Sequence, residues 1–414
     1  RVTPKNVSSF ISSMNKYKFI DQEDVYYQNI AMTFDPSIMD VLLPMTVGAK
    51  VYIPLEKLIG EELEELLAKE QVTLMTCTPS LLKNMDLTQI NSLKMLFVGG
   101  EKLTFKDIKH VPDSTTIVNM YGPTEATITS TLFIITPLNK YEFKNYPIGR
   151  PLKHMKYTIQ SKDGMKLPYA SPGQLVLVGP MISPGYIDNQ LTKKHFRNSE
   201  SLEVETEYET GDLVFETKDQ NIHYLDRDDD QIKLRGYRIE LQEIESLLDR
   251  MNSIHDYHLI LVNNKTSLAL FYRGEIENSL LRKSLVDTLP TFMIPSIIKQ
   301  VKEFPTTING KIAVDELMNE ETNRLKNISS NEISTDETYT AIRSIWLDTL
   351  KVNQLNEKDN FFELGGNSLL AIQVVKKINN ALHLNVSIKT LFKCPTLLEF
   401  VTQTQRGEKL NVHN

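Results

Sequence analysis

Cysteine and tryptophan are nearly absent from this sequence. Its 414 residues hold two cysteines, Cys77 and Cys394, and one tryptophan. Two thiols so far apart form neither a disulfide framework nor a cysteine-based zinc site, and they suit a reducing cytosol. Long apolar runs are missing too. The longest, such as Lys94–Val98 and Leu175–Val178, are strand-sized and far short of the ~18 residues of a membrane span. There is no excess of positive charge: 46 Lys and Arg stand against 53 Asp and Glu, giving a net charge of −7 with the signs interspersed. That balance argues against a nucleic-acid binder, which usually carries a basic face. Glycine (17) and proline (18) are too few for a collagen-like or wholly disordered chain. The first residue is Arg1, and no charged-then-apolar leader follows it. The chain therefore reads as an internal, cytoplasmic fragment of something longer.

What is there is enough apolar residue, 41%, to build sizeable cores. The length suggests about three folding units. In the first stretch, short β-rich runs (Val51–Ile53, Val72–Thr76, Lys94–Val98, Thr116–Met120) alternate with helical segments at Glu61–Leu67, Ser80–Met85 and Thr104–Lys109. That alternation predicts βαβ units and a buried parallel sheet, hence an α/β fold. From about Ile148 the strands Gln174–Val178 and Ile222–Tyr224 lie among turn residues, as in a small barrel or antiparallel appendage. Near Asp226 a second unit opens. It has a helix with Leu241, Ile244, Leu247 and Leu248 on one face, a hairpin from His258–Val262 and Leu268–Tyr272, and a helix over Ile276–Thr288. A polar segment, Asn319–Asp336, reads as a linker. In the tail, Ile342, Ile345, Trp346 and Leu350 share one helical face, and Ala371, Val374, Val375, Ile378 and Leu382 another. This predicts a small helical bundle.

Five short constellations could carry chemistry. Asn119-Met120-Tyr121-Gly122-Pro123-Thr124-Glu125 follows a predicted parallel strand, beyond whose carboxyl end ligands bind in open α/β sheets. Gly122 would let the backbone approach a ligand, and Glu125 offers a hard oxygen of the kind Mg²⁺ accepts. Tyr208 to Leu213 places Asp212 just after a turn glycine, where it could hold a ribose diol. Residues 231–235 alternate, so Lys233 and Arg235 share a strand face. Asn309-Gly310-Lys311 is a hairpin-type turn with a lysine at its tip. Asp359 to Leu370 puts Ser368 at the start of an amphipathic helix, where an anion such as a phosphodiester is favoured. Each alone is also an ordinary turn, edge strand or cap.

Their order and spacing are distinctive. The Phe34-Asp35 segment, Tyr-Gly-Pro-Thr-Glu at 121–125, the run from Gly173 to Tyr186, and Tyr-x-Thr-Gly-Asp at 208–212 come first. Arg227 to Gly236, Leu-Pro-x-Phe-Met-Ile-Pro at 289–295, Asn-Gly-Lys at 309–311 and the 359–370 segment complete the series. Over nearly the whole chain it resembles the later part of an amino-acid-activating adenylation domain of nonribosomal peptide synthetases, followed by a peptidyl carrier protein. The resemblance implies a partial adenylation core at 1–226, a mobile α+β lid at 227–320, a linker at 321–336 and a helical carrier at 337–406. It implies ATP, Mg²⁺ and covalent 4′-phosphopantetheine as cofactors, and secondary-metabolite or antibiotic biosynthesis as the setting. The implied partners are an amino-acid substrate, a phosphopantetheinyl transferase and neighbouring synthetase domains, condensation or other.

By the same resemblance, Asn119 meets the adenine edge and Tyr224 its face, with Tyr121 and Gly122 beside the nucleotide. Asp212 holds the ribose with Arg227 nearby, Thr124 contacts phosphate and Glu125 holds Mg²⁺. Lys311 stabilises the charge of adenylation. Asp229 is the hinge whose rotation swaps Lys311 for the Lys233 face, and Ser368 carries the pantetheine arm. Asp35 would pair with the substrate α-amino group. The other pocket positions are Pro36, Met39, Thr76, Phe97, Gly99, Met120, Ile128 and Thr129. That lining holds no charge besides Asp35, so a neutral, mainly apolar amino acid is expected. Three departures stand out: Asp226 before Arg227, Gln242 for a usual Gly, and Asn367 for the common His before Ser368. The family's Ser/Thr/Gly-rich phosphate loop is not found in residues 1–30, so this stretch alone is not expected to complete adenylation. Two other readings compete: an acyl- or aryl-CoA-ligase-like enzyme of the same fold, and an inert fragment acting only as carrier or docking module.

Overall fold

A computed structural model describes residues 1–55, 58, 60–198, 206–227, 231–234, 237–262, 267–305, 313, 317, 337–350, 352, 355–362, 364, 366 and 368–411. The chain divides into two compact units, Arg1–Arg238 and Ile239–Asn414.

The first unit opens with α1 (Pro4–Asn15). Thr3 caps it by accepting from the Asn6 backbone, and Pro4 supplies a first-turn residue that needs no donor. Then come β1 (Val25–Tyr27), α2 (Pro36–Met45), β2 (Lys50–Tyr52), α3 (Glu61–Lys69), β3 (Leu74–Cys77), the single turn α4 (Pro79–Leu82), β4 (Met95–Gly99), β5 (Thr116–Tyr121), β6 (Thr131–Ile135) and β7 (Arg150–Pro151). These strands form one seven-stranded sheet in the order β2-β1-β3-β4-β5-β6-β7. The first five strands run parallel, and β6 and β7 are antiparallel additions. The parallel core agrees with the alternation read from sequence. Its inner strands β3 and β5 are buried almost along their whole length, as crossover helices on a sheet require, while the edge strand β2 is not.

Register sets which side chains meet. Tyr26 pairs with Leu74, Thr76 with Phe97, Phe97 with Val118, and Gly99 with Met120. Partners in register point the same way and the period along a strand is two. Tyr26, Leu74, Thr76, Phe97, Gly99, Val118 and Met120 therefore share one sheet face. Phe10, Ile11 and Met14 of α1 and Met39 and Leu43 of α2 belong to the same apolar cluster, all but closed to solvent.

The unit continues with β8 (Lys156–Gln160), β9 (Gly173–Val178), α5 (Asn189–His195), β10 (Phe196–Asn198), β11 (Thr206–Glu216) and β12 (Ile222–Arg227), an antiparallel sheet in the order β10-β11-β9-β8 with β12 on β11. Backbone bonds between Ile148–Gly149 and Ile222 tie it to the larger sheet. A two-stranded ribbon, β13 (Gln231–Leu234) with β14 (Tyr237–Glu240), lies at the unit boundary.

The second unit starts with α6 (Leu241–Leu248). The hairpin β15 (Ile254–Val262) and β16 (Ser267–Gly274) follows, then α7 (Asn278–Thr288) and β17 (Ile297–Gln300), which joins β16 in parallel. Buried Arg282 donates to the Pro295 and Ser296 carbonyls, holding α7 to the segment entering β17. Among the described residues four helices follow: α8 (Glu337–Leu350), α9 (Ser368–Leu382), α10 (Ile388–Lys393) and α11 (Leu397–Asn411). Their core is aromatic. The Trp346 ring lies 5.0 Å from Phe361 and 5.9 Å from Phe400, and none of the three is exposed.

Candidate functional site

Asp35 precedes the first turn of α2, followed by Pro36, yet its side chain makes no capping bond. Oδ2 is buried and, among the described residues, has no hydrogen-bond partner. Burial pushes this carboxyl above its ordinary range. The nearby charge of Glu125 adds to that, and hydrogen bonding from Thr124 and from the Ile128 backbone partly offsets it. Asp35 is thus set against the loop that follows β5, the same loop that carries the Tyr-Gly-Pro-Thr-Glu run.

That loop is tightly built. Glu125 is 8% exposed, and its Oε1 accepts from the Tyr186 hydroxyl at 2.7 Å. Its backbone carbonyl accepts from Ser183 N–H at 2.8 Å. Thr127 and Ile128, both β-branched, sit in the left-handed region at φ +58° and +70°. Such residues rarely adopt it, and each costs on the order of 1–3 kcal/mol that the surroundings must offset. The bond from Thr127 Oγ1 to the Met181 carbonyl (2.6 Å) and that from Ser130 N–H to the Tyr121 carbonyl (2.8 Å) supply the hold. Gly122 has a different reason from the one read in sequence. A Cβ there would lie 2.6 Å from the Ile128 carbonyl and 2.7 Å from Thr129 Cα. The glycine admits the chain's own returning backbone, whatever else approaches it.

On β11, Asp212 is anchored from two sides. Arg227 of β12 pairs with Oδ1 at 2.8 Å, and the Tyr121 hydroxyl donates to Oδ2. Asp212 pairs with Arg227 in strand register, so the ion pair is built into the sheet. Both side chains are nearly closed to solvent, which requires this kind of mutual satisfaction. Tyr224, three residues before Arg227, packs half-buried against the core. Asn119 on β5 is 3% exposed and donates to the Pro147 carbonyl at 2.8 Å.

Of the residues read as a substrate pocket, Thr76, Phe97, Gly99 and Met120 fall on the shared sheet face. Met39 and Ile128 belong to the cluster against it. Thr129 donates to Met120 Sδ at 3.5 Å. Space at Gly99 is constrained, since a Cβ there would stand 2.9 Å from the Met120 carbonyl. Two residues went unread in the sequence. Asp40, five residues beyond Asp35, is wholly buried, and its carboxylate faces the hydroxyl of buried Tyr26 on β1. Asp35 is therefore not the lone carboxylate of this region. The signal was a charged residue inside the apolar α2 sequence Pro36–Met45. Lys233 lies on β13, whereas Asp229 and Lys311 are outside the described residues.

In the second unit Ser368 is the first residue of α9. Gly366 sets its approach: a Cβ at 366 would meet the Phe361 carbonyl at 2.3 Å, and Gly366 N–H donates to that carbonyl. No group of three or more metal-binding side chains gathers among the described residues, and no described helix is long and apolar enough to cross a membrane.

Residues 2–187 match the family model of the AMP-binding enzymes, and residues 340–403, which include Ser368, match that of the phosphopantetheine attachment site. The chain thus holds an adenylation domain followed by a carrier domain. It is 31% identical to bacitracin synthase 2 of Bacillus licheniformis over 98% of its length, and 31% identical to gramicidin S synthase 2 of Brevibacillus brevis over 99%. It spans only 16% and 9% of those two proteins. Among solved structures it resembles holo-PA1221, an NRPS protein containing adenylation and PCP domains, with a TM-score of 0.74 and 22% identity over 94% of this chain and 66% of that one. It also resembles the Vibrio cholerae adenylation domain AlmE, solved with glycyl-adenosine-5′-phosphate, with a TM-score of 0.66 and 22% identity over 77% of this chain and 63% of that one. These two likenesses establish the fold.

Proposed function

We propose that this chain activates an amino acid with ATP as aminoacyl-AMP and loads it as a thioester on a pantetheine arm at Ser368, within a larger nonribosomal peptide synthetase. One observation carries the substrate class: Asp35 Oδ2, buried and without a hydrogen-bond partner among the described residues, beside the loop of Thr124 and Glu125. A buried carboxylate oxygen left so is costly, and a substrate ammonium group satisfies it. An acyl- or aryl-CoA ligase substrate has no such group.

The nucleotide-facing residues fit the same reading. Asp212, fixed by Arg227 and Tyr121, offers a preoriented acceptor for ribose hydroxyls. Thr124 and Glu125 follow on the same loop, Thr124 for phosphate and Glu125 for Mg²⁺, which when bound neutralises phosphate charge. Asn119 presents an amide at the adenine edge and Tyr224 a ring for its face. Lys311 supplies the charge that stabilises the adenylation transition state. Rotation about Asp229 then replaces it with the Lys233 strand. When attached, the pantetheine thiol supplies the nucleophile. The residues present suit that arm, because Ser368 opens a helix whose N-terminus favours a phosphodiester. A phosphopantetheinyl transferase attaches it, and neighbouring synthetase domains consume the thioester, in the cytoplasm.

The test is amino-acid-dependent ATP–pyrophosphate exchange by the full-length protein. Exchange driven by one neutral α-amino acid, and not by fatty or aryl acids, is expected. Exchange driven only by acids lacking the amino group would overturn the reading, and binding of no ATP analogue would favour a carrier-only role.

A further inference from the structure

Behind the amino-acid pocket lies a hydrogen-bond chain whose proton count has a consequence. The Tyr26 hydroxyl is 3.2 Å from Asp40 Oδ1 and 2.6 Å from Thr76 Oγ1, and Asp40 Oδ2 accepts from the Ile30 N–H at 3.2 Å. An ionised carboxylate only accepts, and each hydroxyl has one proton. Tyr26 therefore gives its proton to Asp40, and Thr76 gives its own to the Tyr26 oxygen. Only lone pairs remain on Thr76 Oγ1. Thr129 is in the same position, its proton directed at Met120 Sδ. The Tyr26 ring also stacks on Phe97, with centroids 6.1 Å apart and planes 16° apart, so one side chain braces two pocket positions.

We propose that Asp40, acting through Tyr26, holds the Thr76 hydroxyl as an acceptor, and that with Thr129 this makes the pocket select a short neutral side chain bearing a hydrogen-bond donor, such as a β-hydroxyl, over its apolar isostere. The proposal rests on the amino-acid-activation reading and narrows it. Asp40 is a positioning residue and Thr76 its agent. A site built to pair a hydroxyl discriminates against the analogue lacking one far better than an apolar wall does.

The chain of bonds is reversible. Burial raises the Asp40 carboxyl to about 7, against the opposing pull of hydrogen bonds from the coupled Thr76–Tyr26 hydroxyl pair and from the Ile30 and Asn29 backbone. The titratable groups facing it are Tyr26 on β1 and Cys77 on β3, both raised by burial and by the charge of Asp40 itself. Protonated Asp40 donates to Tyr26, Tyr26 to Thr76, and the Thr76 proton is left to turn toward the substrate. The acceptor becomes a donor, and the preference is lost.

The experiment measures kcat/KM for threonine and for valine in pyrophosphate exchange by the full-length protein, since the two differ by a hydroxyl at nearly equal volume. Their ratio cancels ionisations common to both substrates. The threonine-to-valine ratio should fall about tenfold between about pH 8.5 and about pH 6, the size expected of one hydrogen bond. Asp40→Asn, whose amide donates to Tyr26, should hold the low ratio at both pH values. A merely structural role would lower both substrates alike and leave the ratio unmoved. A ratio indifferent to pH and to Asp40→Asn overturns the proposal. Should Asp40→Asn fail to fold, the wild-type pH dependence decides alone. If another amino acid drives exchange while threonine and valine both fail, this proposal falls and the activation reading stands. If no amino acid drives exchange, both fall.

Discussion

Asp35 and Asp40 sit five residues apart and make opposite demands. Asp35 Oδ2 has no hydrogen-bond partner among the described residues, so its removal costs no bond there, while the burial that raises its pKa disfavours the charged form. Asp35→Asn should therefore leave the melting temperature unchanged or slightly higher. It should also reduce amino-acid activation by about a hundredfold, the worth of a hydrogen-bonded charge pair of about 3 kcal/mol. Calorimetry beside an exchange assay checks the split, and a parallel loss of stability and activity would refute it. Asp40 is bonded, and it titrates. Its folded value of about 7 stands above the ordinary carboxyl value of 3.8, so between those limits the folded chain binds a proton that the unfolded chain has released. Stability from this group is full below about pH 4 and is lost as pH rises toward about 7, by up to about 4 kcal/mol. Urea midpoints of wild type and Asp40→Asn should accordingly converge or cross over that window. Parallel curves would show that Asp40 keeps an ordinary pKa.

At the scale of elements, the loop after β5 joins the two halves of the nucleotide reading, and its shape depends on a residue with no side chain. Gly122→Ala drives a methyl to within 2.6 Å of the Ile128 carbonyl, and backbone has little room to give. The strained pair Thr127–Ile128 would have to move, carrying Thr124 and Glu125 with it. The variant should lose about 1–3 kcal/mol of stability by overpacking and most of its exchange activity, seen as a lower urea midpoint and a raised KM for ATP. Wild-type kinetics in this variant would mean that the loop's geometry is dispensable. Sequence and structure part company at elements of this kind. The parallel strands β3, β4 and β5 and the hairpin of β15 and β16 were legible because apolar runs of strand length sit between turn residues. The short β1, three residues long, carried no such run. The capped helix α1 was legible in principle, since Thr3-Pro4 precedes Phe10, Ile11 and Met14 at helical spacing, but went unread. The Asp40–Tyr26–Thr76 chain was not legible at all. Its members lie 14 and 50 residues from Tyr26, and only the register of β1 with β3 and the placement of α2 against those strands bring them together. The turn glycine at 122 was seen, but its cause was not, because the returning backbone at 128–130 cannot be inferred from the turn itself.

Across the whole molecule, the proposed function asks two half-reactions to share one carboxyl carbon. Adenylation needs positive charge where phosphate charge develops. Thioester formation needs that same position opened to a thiol carried on Ser368. One static arrangement serves both poorly, which is the physical reason for proposing a hinge at Asp229 whose rotation exchanges Lys311 for the Lys233 face. The division of labour makes the two steps separable by mutation. Lys311→Ala in the full-length protein should lower amino-acid-dependent pyrophosphate exchange by about a hundredfold or more, in line with loss of one preorganised electrostatic contact. It should leave transfer from supplied aminoacyl-adenylate to the loaded carrier within a few-fold of wild type. Ser368→Ala should do the reverse: full exchange, no mass gain on incubation with a phosphopantetheinyl transferase, and no thioester. An unchanged mass gain in Ser368→Ala would move the attachment site elsewhere. Equal losses of both half-reactions in Lys311→Ala would mean that the lysine supports the fold of its unit and does not act at the phosphate, and the alternation of faces about Asp229 would lose its basis.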